Sequence, residues 1–306
     1  MISLRARFHR FLLTLLARRI DADSDVEMLR TLLQRVSGRL STMKGTQVEP
    51  VSFAGVDAAW MSPPEVAEDA PVLLYLHGGA YVAGSSYTHR RMVSYLAHYA
   101  GCRALVPNYR LAPEHPYPAG LEDCLAVYRA LLATQPAERI VVAGDSAGGG
   151  MTMAMLLSLR EAGDAMPAAA YLLSPWLDLT ASGDSASTRA AIDPMFDVKE
   201  MPKAAAHYAP PERQRDPLVS PVFADPTGLP PMFIQVGDEE ILLSDSTRLA
   251  ERIGQVGGEV DLQVWPGMWH VFQFFIRRIP EAERALRDAG RYIKAVLPQR
   301  APAATT

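Results

Sequence analysis

Cysteine is nearly missing from this chain, with two in 306 residues, Cys102 and Cys124. Neither belongs to a CxxC pair, which excludes zinc clusters and a disulfide framework. Two isolated thiols read as small buried apolar side chains in a reducing compartment, and the expected location is cytoplasmic. Long apolar runs are missing too. No stretch reaches 18 uninterrupted apolar residues, so no membrane span is expected. Nor does either sign of charge dominate: 30 Lys+Arg face 34 Asp+Glu, for a net charge of −4. That balance argues against a nucleic-acid binder, which needs a basic surface. What is present, 49% hydrophobic and 21% charged residues, is the composition of a globular protein. A chain of this length buries about three-quarters of its unfolded surface and needs no metal or disulfide for its core.

Arg5, Arg7 and Arg10 precede the apolar run Phe11–Ala17, in superficial imitation of a secretory signal. Arg18 and Arg19 follow at once, without a small-x-small cleavage site. Leu4, Phe8, Leu12, Leu15 and Leu16 share one helical face, so the segment is expected to be an amphipathic helix packed through them. Attachment to a membrane surface is the alternative.

Beyond about Leu40 the pattern is a strand–helix alternation. Thr46–Met61 reads as an antiparallel pair turning near Gly55. Val72–Leu76, Ala104–Val106, Ile140–Ala143, Ala169–Leu173, Met232–Val236 and Val260–Val264 read as strands. Helices are expected at Thr88–Tyr99, Pro118–Ala133, Ala147–Ala162, Asp245–Val256 and Glu281–Val296. Short apolar strands separated by helices demand crossover connections, hence a parallel sheet with helices on both faces. Asp178–Pro217 interrupts this order and is too long for a plain loop; it reads as an excursion or lid with a helix near Lys199–Tyr208. The tail Pro298–Thr306 is expected to be disordered.

Gly144-Asp145-Ser146-Ala147-Gly148 has the form G-x-S-x-G, directly after one strand and opening a helix. A turn this sharp strains its central residue and lifts the hydroxyl clear of the sheet, so Ser146 is the candidate nucleophile. Gly144 and Gly148 let strand and helix approach closely. His77-Gly78-Gly79-Ala80 ends an earlier strand. Its unencumbered N–H groups at Gly78 and Gly79, with that of Ala147, form the expected oxyanion hole. His77 itself reads as structural. A serine needs an imidazole to take its proton, and the chain order serine, acid, histidine puts that base after Ser146. His270, past the last strand, fits; His207 falls in the excursion. The acid lies in Gly237–Leu242, which offers Asp238, Glu239 and Glu240.

Together with Tyr109–Ala119, Ser174-Pro175-Trp176 and Trp269-His270-Val271-Phe272, these motifs resemble the GDSAG branch of the hormone-sensitive-lipase-like α/β-hydrolase esterases. The resemblance covers about His77 to Gln273. It implies an α/β fold with a mostly parallel eight-stranded sheet and a helical cap. The cap would comprise residues 1–45 and an inserted segment at 183–215; the catalytic domain would comprise 46–182 and 216–298, followed by the tail 299–306. In that family the acid usually appears as Asp-x-Leu about thirty residues before the histidine. Here Glu240-Ile241-Leu242 matches, which points to Glu240, with Asp238 as the alternative. Arg110–Glu114 looks like an internal clamp, an arginine fork holding a carboxylate. Trp176, Phe196, Met201, Tyr208, Trp269 and Phe272 are the candidates for the acyl pocket, each with core or cap packing as its other reading. The implied activity is hydrolysis of short-chain carboxylic esters or lactones through an acyl-enzyme, with no metal and no cofactor. Two other readings remain open: a binding-only protein on the same fold, and an amidase. A homodimer through the last strand and last helix is expected by family analogy.

Overall fold

The computed structural model describes residues 2–17 and 26–298. The tail expectation, residues 299–306, therefore lies outside the described residues. The chain opens with two helices, α1 (Leu4–Ala17) and α2 (Val26–Gly38). A hairpin follows, β1 (Gln47–Phe53) and β2 (Val56–Ser62), closed by Ala54 and Gly55, both at positive φ. Two such residues match the twist of the strands they join.

Strand and helix then alternate: β3 (Val72–Leu76), α3 (Ser86–Ala100), β4 (Arg103–Pro107), α4 (Ala119–Leu132), β5 (Ile140–Asp145), α5 (Ala147–Ala162) and β6 (Ala169–Leu173). After an excursion carrying α6 (Ser185–Thr188) and α7 (Met201–Tyr208), the alternation resumes with β7 (Met232–Gly237), α8 (Leu243–Gln255), β8 (Val260–Trp265) and α9 (Pro280–Val296). The eight strands form one sheet in the order β1-β2-β4-β3-β5-β6-β7-β8. The pairings β1·β2 and β2·β4 are antiparallel and the rest are parallel.

The central strands are buried on both faces, and their alternation sorts side chains to opposite sides. Val72, Leu74 and Leu76 of β3 pack with α4 and α5, whereas Leu73 and Tyr75 pack with α3 and α9. Among the described residues no helix is long and apolar enough to cross a membrane.

Helix α1 departs from expectation. Leu4, Phe8 and Leu15, predicted to face inward, are exposed, and so is Phe11. The inner face is instead Ile2, Ala6 and Leu13, packed with Trp269, Phe272 and Ala282. Ser3 fixes the helix start by donating its N–H and hydroxyl to the two Glu281 oxygens at 2.7 and 2.9 Å. A small residue, Ala6, lets the helix lie close to α9. Hydrophobic periodicity shows which residues share a face; it does not show which face is buried. The Leu16 side chain lies outside the described residues.

Candidate active site

Strand β5 ends at Asp145 and α5 begins at Ala147, which leaves Ser146 alone in the turn at φ 53° and ψ −124°. That strain is held from several sides. The Ser146 N–H donates to the Leu173 carbonyl at 2.9 Å, and the Ser146 carbonyl accepts from Trp176 N–H at 2.9 Å. A Cβ on Gly148 would collide with the Leu76 carbonyl, and one on Gly144 with the Gly148 carbonyl. Both glycines are therefore needed for the turn to sit against β3 and α5.

The imidazole of His270 meets Glu240: Nδ1 lies 2.9 Å from Oε2. Both side chains are buried. The other Glu240 oxygen accepts from Gly237 N–H at 2.6 Å and from the Ser174 hydroxyl at 2.8 Å. Ser174 in turn accepts from Val271 N–H at 3.1 Å, so one hydroxyl ties the acid to the histidine loop. Asp238 does something else. Its carboxylate accepts from Gly267 N–H at 2.6 Å and braces the loop before His270 without touching the ring.

The inserted segment grips the same place. Asp193 accepts from Ile241 N–H at 2.8 Å, and the Ser185 hydroxyl donates to the Ile241 carbonyl at 2.5 Å. The other Asp193 oxygen accepts from Met195 and Phe196 N–H. This places Phe196 edge-on to His270, with ring centroids 4.7 Å apart. Ser174, Ser185 and Asp193 carry no local motif that marks these duties.

The loop after β3 corrects one expectation. Gly78 N–H is already spent, donating to Asp145 Oδ1 at 3.0 Å. The same carboxylate accepts from Tyr75 OH at 2.8 Å and has His89 Nε2 3.3 Å away. Burial would raise the Asp145 carboxyl, but His89, the Tyr75 hydroxyl and the Gly78 amide together hold it below its ordinary range. Among the described residues nothing accepts from the N–H groups of Gly79, Ala80 or Ala147. A buried Asp145 must find donors, but nothing in the elbow itself names Gly78 as one of them. His77 is pushed down to about 3 by burial, then by His89, and stays neutral. Its Nδ1 donates to the Gly78 carbonyl at 3.0 Å, and its ring stacks on Tyr109.

Helix α2 covers this loop through Val26, Leu29 and Leu33, which pack on Ala80, Val82 and Ala83. Arg30 fastens it, donating to the carbonyls of Val82 (2.7 Å) and Ala112 (3.0 Å) and, through two nitrogens, to Glu114 at 2.8 Å each. The Arg110 fork holds Asp123 and Glu122 at the start of α4, so Glu114 belongs to Arg30.

The pocket candidates divide. Trp176, Met201 and Tyr208 share a buried cluster with Ala147, and Phe196 packs against it. Trp269 and Phe272 lie in a separate cluster under α1 and α9 and are core. Tyr81, which was not among the candidates, stacks on Tyr208 at 3.7 Å and lies 5.8 Å from Trp176. Among the described residues no group of three His, Cys, Asp or Glu side chains is placed to hold a metal.

A family model described as the α/β-hydrolase fold matches residues 73–274. This chain belongs to that family. An acetyl-hydrolase of Streptomyces hygroscopicus is 38% identical over 273 residues, covering 89% of this hydrolase and 91% of the relative. The crystal structure of an esterase from the bacterial hormone-sensitive lipase family superposes with a TM-score of 0.90 at 40% identity, covering 97% of this chain and 100% of that one. EstE5, in a crystal soaked with p-nitrophenyl butyrate, superposes with a TM-score of 0.91 at 36% identity, covering 96% and 99%. The hydrolase is a member of the hormone-sensitive-lipase branch and a carboxylic ester hydrolase.

Proposed function

We propose that this hydrolase cleaves short-chain carboxylic esters, lactones included, by two-step acyl transfer. The observation that carries the reading is the His270–Glu240 pair, locked by Ser174 and Gly237 at the end of the sheet where β5 presents Ser146. Glu240 holds the Nδ1–H tautomer and leaves Nε2 free to take the Ser146 proton as Oγ attacks the carbonyl carbon. The oxyanion rests against the N–H groups of Gly79, Ala80 and Ala147, since Gly78 is committed to Asp145. His270 then passes the proton to the leaving alcohol, which departs and leaves the acyl group on Ser146. Water, deprotonated by the same ring, releases the acid.

The aromatic wall of Tyr81, Tyr208 and Trp176 beside the elbow supports a short acyl chain. Of residues 1–45 the described part, together with 183–215, acts as the cap over it. Two buried free thiols, Cys102 and Cys124, support a cytoplasmic setting. β8 stands at the sheet edge, and we assign a homodimer to β8 and α9, which light scattering reads directly.

A panel of p-nitrophenyl esters from acetate to octanoate, with a matching anilide to separate ester from amide cleavage, tests the reading. Ser146→Ala should lose roughly 10⁴-fold or more in kcat, and Glu240→Gln about 10²- to 10⁴-fold. Asp238→Asn should retain most activity. Near-normal turnover in Glu240→Gln would remove Glu240 from the triad, and hydrolysis surviving Ser146→Ala would overturn the mechanism.

A further inference from the structure

Helix α1 is engaged on one side and bare on the other. Its inner face is committed through Ser3 to Glu281, through Ala6 and Leu13 to the cluster under α9, and through Arg10 to Glu239 and the Ile192 carbonyl. The helix therefore has no freedom to roll and bury its other side. That side carries Leu4, Phe8, Phe11 and Leu15, which are 81, 59, 61 and 50% exposed. Spacings of four, three and four place them in one stripe along a helix of 3.6 residues per turn. Folded proteins hide side chains of this kind, and a contiguous bare row of them marks an interaction surface.

The charge around the stripe narrows the partner. Arg5 is one residue past Leu4 and Arg7 is one before Phe8, so at 100° per residue they flank the stripe on opposite sides; both are exposed. Helix α1 has no carboxylate, although the whole chain carries a net −4. Large apolar side chains with guanidinium groups on their flanks complement acyl chains beneath phosphate headgroups. A second copy is a poor fit, because self-pairing would bring arginines together on a face without an acid. At 14 residues the helix is too short to cross a bilayer.

We propose that α1 docks this hydrolase on an anionic lipid surface. Leu4, Phe8, Phe11 and Leu15 enter the acyl boundary, and Arg5 and Arg7 meet the headgroup phosphates.

Sedimentation of the full chain with sucrose-loaded vesicles tests this. One set is phosphatidylcholine and the other is phosphatidylcholine mixed with phosphatidylglycerol. The protein should sediment with the mixed vesicles, and high salt should weaken that binding. Phe8→Ser/Phe11→Ser should lower its affinity at least ~10-fold, with unchanged melting. Arg5→Gln/Arg7→Gln should lose the preference for the anionic set. Failure to bind either set overturns the proposal, as does wild-type binding by either double variant. A dimer in light scattering that dissociates on Phe8→Ser/Phe11→Ser would assign the stripe to a second copy and overturn it equally.

Discussion

Ser174 has a single hydroxyl and uses it twice, donating to Glu240 and accepting from Val271 N–H. Replacing it by alanine leaves a buried amide without a partner and Glu240 Oε1 with only the Gly237 amide, at a cost of about 1–3 kcal/mol. Ser174→Ala should therefore lower kcat roughly tenfold or more with KM little changed, as read by steady-state kinetics. An unchanged kcat would mean that Gly237 alone fixes the acid. Ser146 and His270 could be named as candidates because their signals are local: a strand, a five-residue turn, a helix, and a fixed chain order. Ser174 was not, because its duty exists only where β6, the acid loop and the histidine loop meet. The commitment of Gly78 to Asp145 belongs to the same class, a contact across 67 positions that no short window contains.

Elements were legible to the extent that their side chains repeat. The strands and long helices emerged from apolar runs and glycine stops, while the excursion between β6 and β7 left little more than one short helix to read. Its contribution is made by single side chains. Asp193 and Ser185 hold the two sides of Ile241, and Tyr208 on α7 stacks on Tyr81 from the loop after β3. That stack makes α7 part of the proposed acyl wall. Tyr208→Ala should raise kcat/KM for octanoate relative to acetate by ~10-fold, since one methylene in an apolar pocket is worth about 1–3 kcal/mol. An unchanged ratio across the ester panel would take Tyr208 out of the wall.

At the scale of the whole molecule, one buried carboxyl sets a pH dependence of stability. Asp245, at the start of α8, accepts from the N–H groups of Leu177 and Asp178 at 2.7 and 2.9 Å through one oxygen. Burial pushes its pKa up to about 8, and Asp178 adds to the rise while Arg248 opposes it. Unfolded, the group titrates near 4, as aspartates ordinarily do (about 3.9). Between those values the folded protein holds a proton that the unfolded chain has released, so stability falls as pH rises through the window. Asp245→Asn keeps the accepting oxygen and removes the charge. Its melting temperature should gain on the wild type from pH 5 to 8, and parallel curves would show that Asp245 does not carry the slope.

Arg30 bears on how small this enzyme can be made. The loop proposed to offer the amide donors borrows its stiffness from a side chain some fifty positions upstream, through three carbonyl and carboxylate partners. A version pared to the sheet and its flanking helices would retain serine, imidazole and glutamate, yet leave that cradle slack. On the proposed mechanism helix α2 is thus scaffolding for the chemistry, and a minimal core would be a folded but feeble catalyst.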